Sequence, residues 1–253
     1  MILFLRSLPA LLALWLLACF VAALQFTQTF WIMTACATII PIFGLRLLTR
    51  RAALPRRFFS LAMFPALITV GSFGALLFSE HQVFQICIIV GTTLLHWLTY
   101  EQAFRFTHQP ARYQKNALTN LALLAAIVGF FYLVLVLFDL GLFADLALYY
   151  QLALFIFFTS LWYGGVAYLL QADRSMVVVL GSTTLIVGVE VYLLLNRLPP
   201  LPAVKAGVLV VIIGASLQLL RRHVEPQEKL GWWTFGVLGL VLFSLLVTAQ
   251  WFA

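Results

Sequence analysis

Nine runs of about 20 predominantly apolar residues, joined by short polar connections, constrain this chain more than any other feature. A bilayer's hydrocarbon layer is roughly 30 Å thick, which about 20 apolar residues cross as a helix. Hydrophobic residues make up 64% of the chain and charged residues 9%, and the alternating polarity of barrel strands is absent. The sequence therefore predicts an all-α, polytopic transmembrane helix bundle, one integral membrane domain over residues 1–253. The nine spans are expected near residues 8–25, 28–48, 58–79, 83–100, 117–138, 146–170, 176–196, 202–220 and 232–252.

The basic residues predict the orientation of these spans. Placing the N-terminus and the loops after spans two, four, six and eight in the cytoplasm puts every Lys and Arg there except Arg197 and Lys205. Such a bias follows the positive-inside rule. It predicts a cytoplasmic N-terminus and an outside C-terminus.

The formal net charge of +7 is explained by these cytoplasmic loops and the anionic headgroups beside them, so no nucleic-acid partner is expected. Within the loop after span four, Arg105, Arg112 and Lys115 share one helical face if that loop is helical. They are therefore predicted to lie at the lipid-headgroup level, although Pro110 counts against one continuous helix. The three cysteines show no metal-ligand spacing, so neither a metal nor a cofactor is expected.

No catalytic motif in the sequence supports an enzyme. The segment "HWLTYEQAFR" contains His96, Glu101 and Arg105, where glutamate-dependent intramembrane proteases of the CAAX-processing type carry paired glutamates followed by an arginine. Gln102 follows Glu101, however, and no later span contains a histidine. We therefore expect His96 to be a hydrogen-bonded structural residue, with Asn120 at similar depth as its partner.

Two charges lie inside otherwise apolar runs, Glu190 in span seven and Lys205 in span eight. Their positions predict nearly equal depths on consecutive antiparallel helices, so we expect them to meet, directly or through one water. At 100° per residue, Thr183, Glu190 and Arg197 share one face of span seven. These four residues form either a structural ion pair with its surroundings or the lining of an outward-opening polar site. A retinal-type Schiff base at Lys205 is disfavoured, because the chain does not resemble the seven-helix retinal proteins.

Small residues form a second pattern on span seven. Gly181, Thr184 and Gly188 follow one another at spacings of three and four residues, and such stripes let helix backbones approach closely. Because Gly188 lies about 160° from Glu190 around the helix, the small face and the polar face are predicted to be opposite. Close packing within the bundle is the favoured use of the small face, and homo-oligomerisation is the alternative.

The last third of the chain contains "EVYLLLNRLPPLP", an apolar span ending in "LLRRH", and a final span closing on "LLVTAQWFA". It resembles small uncharacterised polytopic membrane proteins of candidate-phyla bacteria. The resemblance implies a multi-pass protein of a bacterial plasma (inner) membrane and says nothing about chemistry.

Two functions are consistent with these observations. The first is a non-enzymatic scaffold or subunit of a membrane assembly, with membrane proteins and lipids as its partners. The second is a small-solute or ion carrier with an outward-side polar site around Glu190 and Lys205.

Overall fold

The computed structural model describes residues 2–50, 55–114, 116–198 and 201–224, and every regular element in these ranges is helical. Eight α-helices are long and apolar enough to cross a membrane. In chain order they are α1 Ile2–Gln25, α2 Phe30–Thr49, α3 Pro55–Phe78, α4 Gln82–His108, α5 Ala117–Phe143, α6 Leu148–Leu170, α7 Arg174–Asn196 and α8 Pro202–Val224.

These helices coincide with the first eight predicted spans, and the ninth, residues 232–252, lies outside the described residues. The differences are at the helix ends. Both α4 and α5 are longer than predicted, since α4 continues to His108 and α5 to Phe143. A helix can extend beyond the hydrocarbon layer into polar surroundings, so apolar sequence gives only a minimum length.

The chain forms two compact units, residues 1–129 and residues 130–253, and α5 begins in the first and ends in the second. In the first unit α1 packs against α2 and α4, and α3 packs against α2 and α4. Its core contains a stacked pair of rings, Phe20 and Phe73, whose centroids lie 4.4 Å apart. Phe30 meets Phe73 edge to face.

A glycine lets α5 approach α3 closely within the first unit. A Cβ atom added at Gly129 would lie 3.0 Å from the backbone nitrogen of Ile68 and 3.2 Å from its Cα. These are backbone atoms, which cannot rotate away as a side chain does. Gly129 therefore sets the separation of the two helices at this level.

In the second unit α7 packs against α6 and α8, and α6 also contacts α8. Its core is aromatic. The Tyr192 ring stacks between those of Phe138 and Phe155, with centroids 4.8 Å and 4.7 Å away. This stack joins α5, α6 and α7.

We expect Gly129→Ala to destabilise the protein by about 1–3 kcal/mol, because the added methyl group must push α3 and α5 apart. The measurement is an unfolding titration in mixed detergent micelles. Gly91→Ala is the matched control, since Gly91 is an exposed glycine of α4 whose added Cβ would meet nothing within 4 Å. Equal stability of the two variants would contradict the close approach.

Candidate functional site

Helix α7 has one face packed inside the second unit. Asp173 caps its N-terminus, accepting a hydrogen bond from the backbone nitrogen of Ser175 at 3.3 Å, and the Ser175 hydroxyl also lowers the pKa of Asp173. Thr184 and Gly188 are buried, and a Cβ atom at Gly188 would lie 3.4 Å from the Phe155 ring. The small residues of α7 are thus used for close packing inside the unit.

The opposite face of α7 is exposed. Thr183, Glu190 and Arg197 all lie on it, as their spacing predicts. Of the eight helices α7 is the least covered, with 17% of its most apolar stretch buried against 67% in α5. Glu190 stands five residues beyond Leu185, the middle residue of α7, which is roughly 8 Å toward the C-terminal end at 1.5 Å per residue.

Lys205 is half-buried near the start of α8 and is directed toward α5. Its Nζ atom lies 5.6 Å from the centroid of the Phe138 ring, within the range of a cation–π contact. Phe138 is also the ring that stacks on Tyr192. The charge of Lys205 therefore lies over Phe138, the ring at one end of the aromatic stack.

The direct ion pair expected between Glu190 and Lys205 is not formed. In the part of the chain that the structure describes, the ion pair within 4.0 Å joins Arg105 to Glu101. Two features explain the difference. Because α8 continues to Val224, Lys205 lies roughly 12 Å from the middle of its helix, farther out than Glu190. Glu190 also lies on the exposed face of α7, whereas Lys205 faces α5. A bridge through water stays a prediction.

Buried polar side chains that the sequence does not predict lie beside the aromatic stack. The Tyr192 hydroxyl donates to Oε1 of Gln151 at 2.8 Å, and Nε2 of Gln151 donates to the Leu146 carbonyl. Asp139 is buried in the last turns of α5, where a loop position was expected. The only signal in the sequence is a polar residue inside an apolar run, in "LFDLGLF" and "YYQLALF".

A groove of about 240 Å³ runs between α6 and α7. Its floor includes Thr159 and Tyr163, whose hydroxyls are buried and have no hydrogen-bond partner within the described ranges. Gly164 opens the groove, since a Cβ atom there would meet nothing within 4 Å. Ser182, on the exposed face of α7, forms part of the wall. On α7 the groove is lined by Gly181 and Leu185, about 180° and 140° around the helix from Glu190, so it is a separate surface from the exposed face. The two surfaces are together called the α6–α7 face below.

His96 is fully buried and hydrogen-bonded, with its partners on α3 and α4. Its Nδ1 lies 2.9 Å from the Thr92 carbonyl oxygen. Its Nε2 lies 3.0 Å from Oγ1 of Thr69 and 3.2 Å from the Pro65 carbonyl oxygen. In a neutral ring Nδ1 can donate to the Thr92 carbonyl while Nε2 accepts from the Thr69 hydroxyl. Contact with Asn120 of α5 is not needed for this and stays a prediction.

The basic segment after span four is partly helical. Arg105 lies in the last turn of α4, and Arg112 ends a separate 3-10 turn, Pro110–Arg112. Proline disfavours helical geometry in the residue before it, which explains the break at Gln109. Lys115 lies outside the described residues. Over the described ranges, no three His, Cys, Asp or Glu side chains are placed to hold a metal ion.

Double-mutant cycles should distinguish the contacts of Lys205. We expect Lys205→Met and Phe138→Leu to be coupled by about 0.5–2 kcal/mol, the range of a cation–π contact. Lys205→Met and Glu190→Gln should instead be additive within about 0.5 kcal/mol, as for residues without a shared contact. Unfolding free energies in mixed micelles provide both values. Stronger coupling of Lys205 to Glu190 than to Phe138 would show that the two charges do form an ion pair.

Comparison with known proteins adds no relative to these observations: no family model, curated protein or solved structure matches the chain.

Proposed function

We propose that this protein is a non-enzymatic subunit of a membrane assembly, which binds transmembrane helices of another protein on the α6–α7 face. The observation that supports this most directly is the exposure of Glu190 on that face. The helix around it is apolar enough to cross a bilayer.

The cost of exposing Glu190 to lipid is the physical reason. A charged side chain at the centre of a span costs about 3 kcal/mol on insertion scales, and less toward the ends. In the described residues Glu190 has no ion pair within 4.0 Å. A partner helix with a Lys or Arg at that depth would provide one, and charge complementarity is what selects such a partner.

The groove supports the same proposal independently. It is about 240 Å³ in volume and is lined by Thr159 and Tyr163, so a helix seated in it would cover these two side chains. Gly164 and Ser182 leave the room that close helix packing requires.

A carrier with a polar site around Glu190 and Lys205 is the alternative function. Such a site needs its charged side chains to line an enclosed passage. Thr183, Glu190 and Arg197 are instead exposed together on one side of α7, and Lys205 faces Phe138. This arrangement favours a binding surface over a transport pathway.

For the membrane setting we infer nine spans, a cytoplasmic N-terminus and an outside C-terminus in a bacterial plasma (inner) membrane. Support comes from eight helices of spanning length and from the distribution of Lys and Arg in the sequence. In this orientation Glu190 and Lys205 belong to the outer half of the bilayer.

We expect Gly164→Leu and Glu190→Leu each to abolish binding of the partner. The leucine at 164 would fill the groove, and the leucine at 190 would remove the charge that the partner's cation requires. The measurement is the stoichiometry of the complex purified with tagged protein from native membranes in mild detergent. Gly91→Leu is the matched control, because Gly91 is an exposed glycine of α4 with open space around it.

The captured chain must also carry a basic residue in the outer half of a span, and exchanging the two charges should restore a complex that Glu190→Lys loses. A lone monomer in wild type and variants alike would refute the proposal, as would a second copy of this chain as sole partner. If residues 225–253 of the same chain filled the groove, Gly164→Leu would destabilise the isolated protein, which would also refute it.

Topology is testable separately with reporter fusions. We expect a fluorescent reporter that folds only in the cytoplasm to be active after Arg112, because that segment is basic. Alkaline phosphatase, which is active only outside, should work after Asp145 and after Ala253. Phosphatase activity after Arg112 would show that the orientation is the reverse of the predicted one. A lack of phosphatase activity after Ala253 would contradict the ninth span.

A further inference from the structure

A cavity of about 360 Å³ at one end of the first unit collects basic side chains from three elements. Arg6 comes from α1, Arg105 from the last turn of α4, and Arg112 from the 3-10 turn that follows. Glu101, Phe104 and Gln109 complete the lining. The volume lies within the range of small-ligand sites, about 300–1,000 Å³.

The cavity carries an excess of positive charge. Nε of Arg105 donates to Oε1 of Glu101 at 2.8 Å, so the single carboxylate of the lining is already used by one arginine. Among the described residues neither Arg6 nor Arg112 has an ion pair within 4.0 Å. Three guanidinium groups against one carboxylate leave a net charge that an anion can balance.

The geometry also suits a planar, multidentate contact. Glu101 holds Arg105 by Nε, which leaves its two terminal nitrogens for a ligand. Arginine is preferred over lysine where a phosphate is bound through two parallel N–H bonds. Phe104, 2% exposed, forms an apolar floor, and the Gln109 amide adds neutral hydrogen-bonding capacity.

Local sequence explains why these groups converge. Glu101 and Arg105 are four residues apart, so they share one face of α4. Helix α4 ends before Pro110, and the 3-10 turn brings Arg112 to the cavity. Helix α1 packs along α4, which places Arg6, in the early turns of α1, beside the last turn of α4.

We propose that this cavity binds a phosphate group, carried by an anionic phospholipid headgroup or present as free phosphate. Basic pockets between membrane helices bind anionic headgroups in this way. The site does not depend on the partner helix proposed above. It gives Arg105 and Arg112 a common ligand and adds Arg6, which the sequence did not connect with them.

The test uses the full-length protein in a neutral detergent and a phosphate-free buffer. Its thermal unfolding midpoint is followed as short-chain phosphatidylglycerol, short-chain phosphatidylcholine or inorganic phosphate is added. We expect phosphatidylglycerol to stabilise the protein at lower concentration than phosphatidylcholine. Arg6→Gln and Arg112→Gln should each raise the phosphatidylglycerol concentration for half-maximal stabilisation about tenfold, by loss of a charge-assisted contact.

Arg174→Gln is the matched control, since Arg174 is an exposed arginine at the start of α7 and its loss changes the net charge equally. It should leave the half-maximal concentration unchanged. If inorganic phosphate stabilises the protein equally well and competes with the lipid, free phosphate is the source and the site stands. Equal stabilisation by the two lipids, or an equal loss in Arg174→Gln, would overturn it.

Discussion

In lipid, a hydrogen-bonding group without a partner costs free energy that no water recovers, and this constraint explains much of the structure. The backbone groups are paired because the chain forms helices in the described ranges. Many hydroxyls are paired within their own helix: Thr34, Thr38 and Thr99 each donate to the carbonyl four residues earlier. The hydroxyls of Thr159 and Tyr163 have no hydrogen-bond partner within the residues that the structure describes. Five further buried hydroxyls in the described ranges also lack a partner, those of Ser79, Thr92, Thr93, Tyr100 and Thr107.

Lys205 and Glu190, the two charges inside apolar helices, differ in how far their surroundings stabilise them. Lys205 has a long aliphatic stem and lies near the start of α8, so its ammonium can remain close to the membrane surface while resting on the Phe138 ring. Glu190 has a shorter side chain, lies nearer the middle of its helix, and is exposed. The lysine has a contact within its own unit, whereas the glutamate has no ion pair among the described residues. This asymmetry favours a subunit that docks through α7.

The sequence was sufficient to locate eight helices, because bilayer thickness sets their minimum length and charges mark their ends. It was also sufficient to separate the faces of α7, since Gly188 is buried and Glu190 exposed. It did not show that the polar face of α7 is the exposed one. A span is apolar all round, so periodicity does not distinguish packing from lipid exposure. The general expectation that a charge faces the interior therefore differs from the exposed position of Glu190. No sequence pattern indicated the hydrogen bond between Tyr192 and Gln151.

The convergence of arginines at the basic cavity was also not predictable from the sequence. Insertion requires only that Lys and Arg be abundant on the cytoplasmic side, and a scattered distribution would satisfy that rule. Packing of α1 along α4 and the turn at Pro110 instead bring Arg6, Arg105 and Arg112 to one cavity, whose lining has a single carboxylate. Bringing like charges together costs electrostatic free energy that scattering would avoid. Insertion does not require these residues to converge, whereas the anionic ligand proposed above would favour it.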